Sequence, residues 1–222
     1  MAEESQPPRS LGSLPPEGAQ TSLGRPGGGL RLARTELILG GQKSGKTRRA
    51  EALAARWLAQ SGAHRAVYVA TAEARDDEMR ERIARHRRDR AARVPGMETD
   101  EEPRALAHAI GRHTHPQTLI VVDCLTLWLT ALQMPMPGDF EIKQAVAPAS
   151  TGHLAILSVA IELCAGPLVL VSNEIGLGVI PLGAQVRAFV DALGELNQQA
   201  AMACERVTLM AAGLPLTLKG SA

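Results

Sequence analysis

The sequence predicts an α/β fold, a mostly parallel sheet flanked by helices, and three observations carry the prediction. Four short aliphatic runs, ELILG (36–40), RAVYVAT (65–71), TLIVVD (118–123) and PLVLVS (167–172), are spread along the 222 residues. Segments with apolar residues at helical spacing lie between runs, and strands separated by helices build parallel sheets through right-handed crossovers. The last two runs are almost continuously apolar, as parallel strands covered on both faces are.

The elements follow in order. Residues 1–34 are rich in Pro, Gly and Ser and lack periodicity, so a disordered tail is expected, with one domain over 35–222. ELILG opens that domain as a strand. In 47–62, Ala50, Leu53, Ala54, Trp57 and Leu58 share a helical face, and Gly62 is a natural stop. RAVYVAT is the second strand. The stretch 76–93 begins with acids and ends with bases, which complements a helix dipole. TLIVVD and PLVLVS supply two more strands. The interval 133–153, interrupted by Pro and Gly, resists placement. Residues 184–204 read as a helix, and RVTLMAAGLPLTLKG (206–220) as a closing pair of strands around 213–215.

Composition limits the function classes. Apolar residues are 45% of the chain and aromatic ones 2%, so the core must be aliphatic. Net charge is +1, which gives no global attraction to nucleic acid or an anionic membrane. No apolar run approaches the ~18 residues of a membrane span, and the N-terminus lacks the apolar core of a signal peptide. Cys124, Cys164 and Cys204 form no CxxC pair, so neither a disulfide framework nor a zinc site is expected and a reducing cytoplasm fits best.

GGQKSGKT (40–47) has the form G-x-x-x-x-G-K-[ST] between a predicted strand and a predicted helix, the context of a phosphate loop, which makes the fold P-loop NTPase-like. Its glycines let backbone N–H groups turn inward around phosphate oxygens, and the helix N-terminus adds positive potential. Gly40, Gly41, Gln42, Lys43, Ser44, Gly45, Lys46 and Thr47 are therefore expected to bind nucleotide. Lys46 can reach the β/γ oxygens, and Thr47 can hold Mg²⁺. Asp123 ends TLIVVD, where a carboxylate orients the metal ion in loop-and-strand NTPases. Asn173 and Glu174 follow PLVLVS at the carboxyl end of the sheet, where α/β folds bind ligands, and are candidates for a second substrate site.

RERIARHRRDR (80–90) places His86 among six arginines. Helical spacing puts Met79, Ile83, His86 and Arg90 on one face, with the apolar pair toward the protein, so His86 should point inward or to a cleft edge. Two readings stay open on pattern alone. It is a packed, hydrogen-bonded histidine, or it is a nucleophile that attacks phosphorus while arginines stabilise the charge. His108, His113 and His115 are expected on a surface loop before a strand, without ligands at metal-binding spacing. Trp57 and Trp128 are expected to pack, and Cys124 to be an ordinary buried thiol.

GGQKSGKTRRAE, VYVATAEARDDEMRERIARHR, VVDCLTLWL, and VSNEIGLGVIP with LNQ further on, taken in this order over 36–220, resemble the bifunctional adenosylcobinamide kinase / adenosylcobinamide-phosphate guanylyltransferase family of cobalamin biosynthesis. The resemblance implies a phosphate-loop domain with an antiparallel strand pair at its C-terminal end. It implies two reactions. ATP or GTP phosphorylates adenosylcobinamide; then GTP guanylylates a histidine and the GMP passes to the phosphorylated cobinamide. His86 in R-I-x-x-H becomes the implied nucleophile and Lys46 the implied phosphate-stabilising residue. Val69, Ala70, Thr71, Arg87, Arg88, Asp89, Arg90, Glu101 and Asp123 fall at positions lining the GTP site, with Glu101 able to read guanine. A homo-oligomeric ring, a trimer, is implied as well.

The chain departs from the family pattern at Met97, where tryptophan is usual, at Leu182, where glutamate is usual, and at Val190 and Glu195, where arginine is common. The rival readings are a P-loop kinase of another small metabolite and a degenerate nucleotide-binding regulatory protein.

Overall fold

The computed structural model describes residues 32–74, 76–133 and 151–220. Residues 1–31, most of the expected tail, and 134–150, most of the segment that resisted placement, lie outside the described residues. Among the described residues thirteen elements run in the order β1 (Thr35–Gly40), α1 (Lys46–Gln60), β2 (Arg65–Ala70), α2 (Asp77–Arg93), β3 (Glu98–Glu101), α3 (Leu106–His113), β4 (Thr118–Asp123), α4 (Leu125–Gln133), α5 (Thr151–Leu163), β5 (Leu168–Val171), α6 (Ala184–Ala203), β6 (Arg206–Ala211) and β7 (Leu214–Lys219). The strands form one sheet in the order β3-β2-β4-β5-β1-β6-β7. All neighbours are parallel except β6 and β7, which pair antiparallel.

Alternating strand residues feed two cores, which is why the central strands are apolar without interruption. Ile38, Val121, Val169 and Val171 pack with Ala50, Leu53 and Ala54 of α1 on one face. Leu37, Val69, Ile120, Val122 and Leu170 pack with α3, α4, α5 and α6 on the other. The expected packing tryptophans have polar anchors too. Trp57 Nε1 donates to Arg65 O (3.0 Å) and Trp128 Nε1 to Arg104 O (2.9 Å). Leu32, placed in the tail by its sequence, packs against the α1-side core, and Arg34 binds Glu205 through both backbone and side chain.

One part of the sequence reading needs correcting, and one strand lies where no reading was made. The stretch holding His108 and His113 is helix α3, not a surface loop: Leu106, Ala109 and Ile110 are buried at helical spacing. β3, ETDE, has no strand-like composition; its backbone pairs with Val67–Ala70 at the sheet edge.

One buried ionic group sits low on β1. Glu36 is fully buried, accepts from Arg49 (3.0 Å) and from Thr208 Oγ1 (2.8 Å), and lies 3.9 Å from Arg206.

Candidate active site

The loop between β1 and α1 turns on backbone angles that side chains resist. Gly40 and Gly45 have φ of +150° and +102°, and Lys43 has φ of +57°. A Cβ on Gly40 would lie 2.4 Å from Met210 O and 2.6 Å from Ser44 Oγ, so glycine is required there by contact as well. The β6–β7 turn braces the loop: Gly213 N donates to Ser44 O (3.0 Å), and Gly213 Cα stands 3.3 Å from where a Cβ on Gly45 would be. α1 starts with no side-chain cap, which leaves its first N–H groups for an anion.

Lys46 is buried and donates to Gly40 O (2.8 Å) and Gly41 O (2.6 Å). Burial lowers its pKa, and the Asp123 carboxylate opposes that shift. Asp123 Oδ2 accepts from Thr47 Oγ1 (2.7 Å) and from Tyr68 OH (2.8 Å). Burial first, and the Asp123 charge second, hold the Tyr68 phenol well above its ordinary pKa, so it remains a donor. Burial likewise pushes the neighbouring Cys124 thiol up to about 12, in keeping with a packed, unreactive cysteine.

These groups line a cleft of about 980 Å³, near the top of the range for ligand sites. The opposite wall is α2. Asp76 caps this helix by accepting from Met79 N (2.7 Å), with Asp77 and Glu78 in its first turn and Arg90 and Arg93 in its last. Met79 and Ile83 are half-buried and face the cleft rather than a core, and the one buried residue of α2 is Arg90. His86 follows the same face, and its exposed ring lines the cleft. The ring is therefore not packed in either core. The lining carries Lys43, Lys46, Arg48, Arg82, Arg85, Arg87, Arg90 and Arg93 against Glu78, Glu81, Glu101 and Asp123, an excess of positive charge suited to phosphates.

The other expected residues divide. Gln42 to Thr47, Ala70, Arg87, Arg90, Glu101 and Asp123 line the cleft; Gly40 and Gly41 belong to the loop but not to the lining, and their carbonyls hold Lys46. Arg87 reaches the cleft and pairs with Glu101 at 2.5 Å. Val69 is buried in the opposite core, and Thr71 is fully buried and bonded through Oγ1 to both backbone groups of Cys124, so neither side chain reaches the cleft. Arg88 and Asp89 are exposed on the other side of α2. Asn173 lines the cleft while its carbonyl accepts from Asn197 Nδ2 (3.0 Å); Glu174 instead donates its backbone N–H to Gly40 O (3.1 Å). Of the departures from the family pattern, Met97 packs on the α1-side core, Val190 is half-buried on α6, and Leu182 and Glu195 are exposed. Sequence reasoning missed Tyr68, the chain's one tyrosine, and Arg93, which clasps Glu51 of α1 (2.6 and 3.0 Å). The available signal for Tyr68 was a hydroxyl amid an aliphatic strand that ends at the nucleotide edge.

The family model described as cobinamide kinase / cobinamide phosphate guanyltransferase matches residues 36–218. A relative from Pseudomonas aeruginosa, named bifunctional adenosylcobalamin biosynthesis protein CobP, is 47% identical over 189 residues, 83% of this chain and 97% of the relative. Two proteins named bifunctional adenosylcobalamin biosynthesis protein CobU are similar as well. The one from Escherichia coli is 33% identical over 187 residues, 82% of this chain and 98% of that protein. The one from Salmonella typhimurium is 34% identical with the same coverage.

Proposed function

The chain belongs to the cobinamide kinase / cobinamide phosphate guanyltransferase family, and from that premise we propose that the cleft between the phosphate loop and α2 carries both reactions. It is a bifunctional enzyme of adenosylcobalamin biosynthesis. The observation that carries the reading is the exposed His86 ring on the same cleft as Lys46, Thr47 and Asp123.

In the kinase step the loop's N–H groups and the α1 N-terminus hold the triphosphate of ATP or GTP. Lys46 leaves the Gly40 and Gly41 carbonyls for the β/γ oxygens, where its charge offsets that of the transferring group. The hydroxyl oxygen of adenosylcobinamide bonds to the γ-phosphorus as the bond to the β-phosphate oxygen breaks, the nucleoside diphosphate leaves, and the hydroxyl proton passes to solvent. The Thr47 hydroxyl and Asp123 carboxylate are hard oxygen donors held together at the loop, a set that fits Mg²⁺. Mg²⁺ bound there would neutralise charge on the phosphate oxygens. Asp123 keeps Thr47 oriented toward that position.

In the guanylyl step a neutral His86 nitrogen attacks the α-phosphorus of GTP. The N–P bond forms as the bond to the β-phosphate oxygen breaks, and pyrophosphate leaves. A phosphate oxygen of adenosylcobinamide phosphate then attacks the same phosphorus, the N–P bond breaks, and the imidazole returns. Arg82, Arg85 and Arg87 stand on the same helix to stabilise the charge. Glu101 accepts from guanine when Arg87 turns to phosphate. A homo-oligomer, a trimer, and a cytoplasmic setting accord with this reading. Among the described residues no helix is long and apolar enough to cross a membrane.

The test is retention of label on the protein. With Mg²⁺ and GTP labelled at the α-phosphate, acid-labile label should stay on the denatured wild type and be absent from His86→Ala. GTP labelled at the γ-phosphate should leave none. A wild type that binds GTP, retains no α-label and still consumes γ-label would instead be a P-loop kinase with a bystander histidine.

A further inference from the structure

Tyr68 joins the two halves of the cleft. Its hydroxyl and that of Thr47 donate to the same oxygen of Asp123, Oδ2, so the lone pairs of Oδ1 stay available for a ligand. Its ring supports the other wall: the Arg90 guanidinium lies 3.7 Å from the ring centroid and donates to Thr99 Oγ1 of β3 (3.0 Å). Arg90 is the buried residue of α2 and stands one helical turn after His86 on the same face. The histidine itself is exposed, so the seat of this helix on the sheet falls to Arg90, with Arg93 on Glu51 beside it. A phenol is suited to both tasks, since one end donates a hydrogen bond while the face attracts a guanidinium.

We propose that Tyr68 is a positioning residue for both reactions: its hydroxyl fixes the Asp123 carboxylate that receives the divalent cation, and its ring, through Arg90, fixes the helix that presents His86. The inference rests on the functional reading above and goes beyond it, because it predicts that the two tasks separate by variant. Tyr68→Phe removes the hydroxyl and keeps the ring. Arg90→Met removes the cation from the ring and leaves the hydroxyl.

The experiment uses the full chain. Mn²⁺ affinity of the complex with the β,γ-imido analogue of GTP is read from the free Mn²⁺ spectrum. Amide exchange is followed across residues 80–88, and retention of α-label is compared with γ-phosphate transfer. Loss of a hydrogen bond to a charged group corresponds to roughly tenfold or more. Tyr68→Phe should therefore weaken Mn²⁺ about tenfold, leave exchange across 80–88 unchanged, and recover α-label capture at saturating Mg²⁺. Arg90→Met should keep Mn²⁺ affinity within about twofold, speed that exchange, and lower α-label capture at least about tenfold more than γ-transfer, as loosening of one helix requires. Unchanged Mn²⁺ affinity in Tyr68→Phe overturns the hydroxyl's role; unchanged exchange in Arg90→Met overturns the ring's. Equal loss of every readout in both variants, with a lowered urea midpoint, means that the pair merely stabilises the fold. If the wild type captures no α-label the functional reading has failed, whereas a wild type that captures label beside a Tyr68→Phe protein identical to it refutes this inference alone.

Discussion

Adjacent glycines open the phosphate loop, and the structure separates them sharply. A Cβ on Gly40 would sit 2.4 Å from the Met210 carbonyl oxygen, about 0.6 Å inside the 3.0 Å limit that real Cβ atoms respect. That oxygen belongs to the paired strand, where Gly40 and Met210 face each other, so it can move only by parting β1 from β6. Overpacking of this kind costs roughly 1–3 kcal/mol. The φ of +150° adds about 1 kcal/mol for a side chain. Against this, alanine restricts the unfolded chain, which is worth about 0.4–1 kcal/mol in its favour. Gly40→Ala should thus lose about 2–3 kcal/mol, or roughly 5–10 °C in Tm for a domain of this size. Gly41 is exposed and has nothing within 4 Å of its Cβ position, so Gly41→Ala should stay within about 0.5 kcal/mol of wild type. Urea unfolding of both variants without nucleotide reads the difference free of any effect on phosphate binding. Equal stability of the two variants would refute the contact argument.

Two further outcomes follow from buried charge and buried thiols. Glu36→Ala strips Arg49 and Arg206 of their shared carboxylate inside the α1-side core, and removing one partner of a buried pair costs about 3–5 kcal/mol; a urea-derived loss under 1 kcal/mol would contradict the role assigned to Glu36. The Cys124 and Cys204 thiols are each pushed by burial from 9.0 to about 12. A raised folded-state pKa gives stability that is complete below pH 9 and lost as pH rises toward 12, because the unfolded chain releases the protons first. Between pH 8 and pH 10 the loss should be about 1.4 kcal/mol per thiol. The double variant Cys124→Ala/Cys204→Ala should show a correspondingly flatter decline, and an unchanged slope would show that these thiols are not the titrating groups.

The sequence disclosed those parts of the molecule whose pattern and physics are local. β4 is bounded as TLIVVD predicts because it is buried on both faces and needs no partner-specific residues. The Asp76 cap and the charge gradient of α2 are local electrostatics, and the helix falls where they place it. β3 was illegible because its order comes from the backbone of Val67–Ala70 and not from its own acidic side chains. α3 carries a proper apolar stripe, but at eight residues it offers only one short repeat of it. At the site, the loop and the face bearing His86 were legible; that the Met79–Ile83 stripe lines a cleft was not, since an apolar stripe does not state what it faces. The Tyr68–Asp123–Thr47 junction joins residues 55 and 76 positions apart, and no periodicity records such a meeting.

The brace between the β6–β7 turn and the phosphate loop bears on the order in which the molecule can be made. Among the described residues β1 is the first strand in chain order, yet its sheet neighbours are β5 and β6, and the loop that follows it is backed by Met210 and Gly213. A ribosome that has finished the glycine motif has therefore made a nucleotide site only in sequence. The chain must carry β1 unpartnered through well over a hundred further residues before the strands that complete it emerge, which makes the site a late product of synthesis, dominated by distant contacts. A nascent chain halted before the closing hairpin would hold every residue of the phosphate loop without the wall that shapes it, so triphosphate binding marks a chain whose β6–β7 hairpin has joined the sheet.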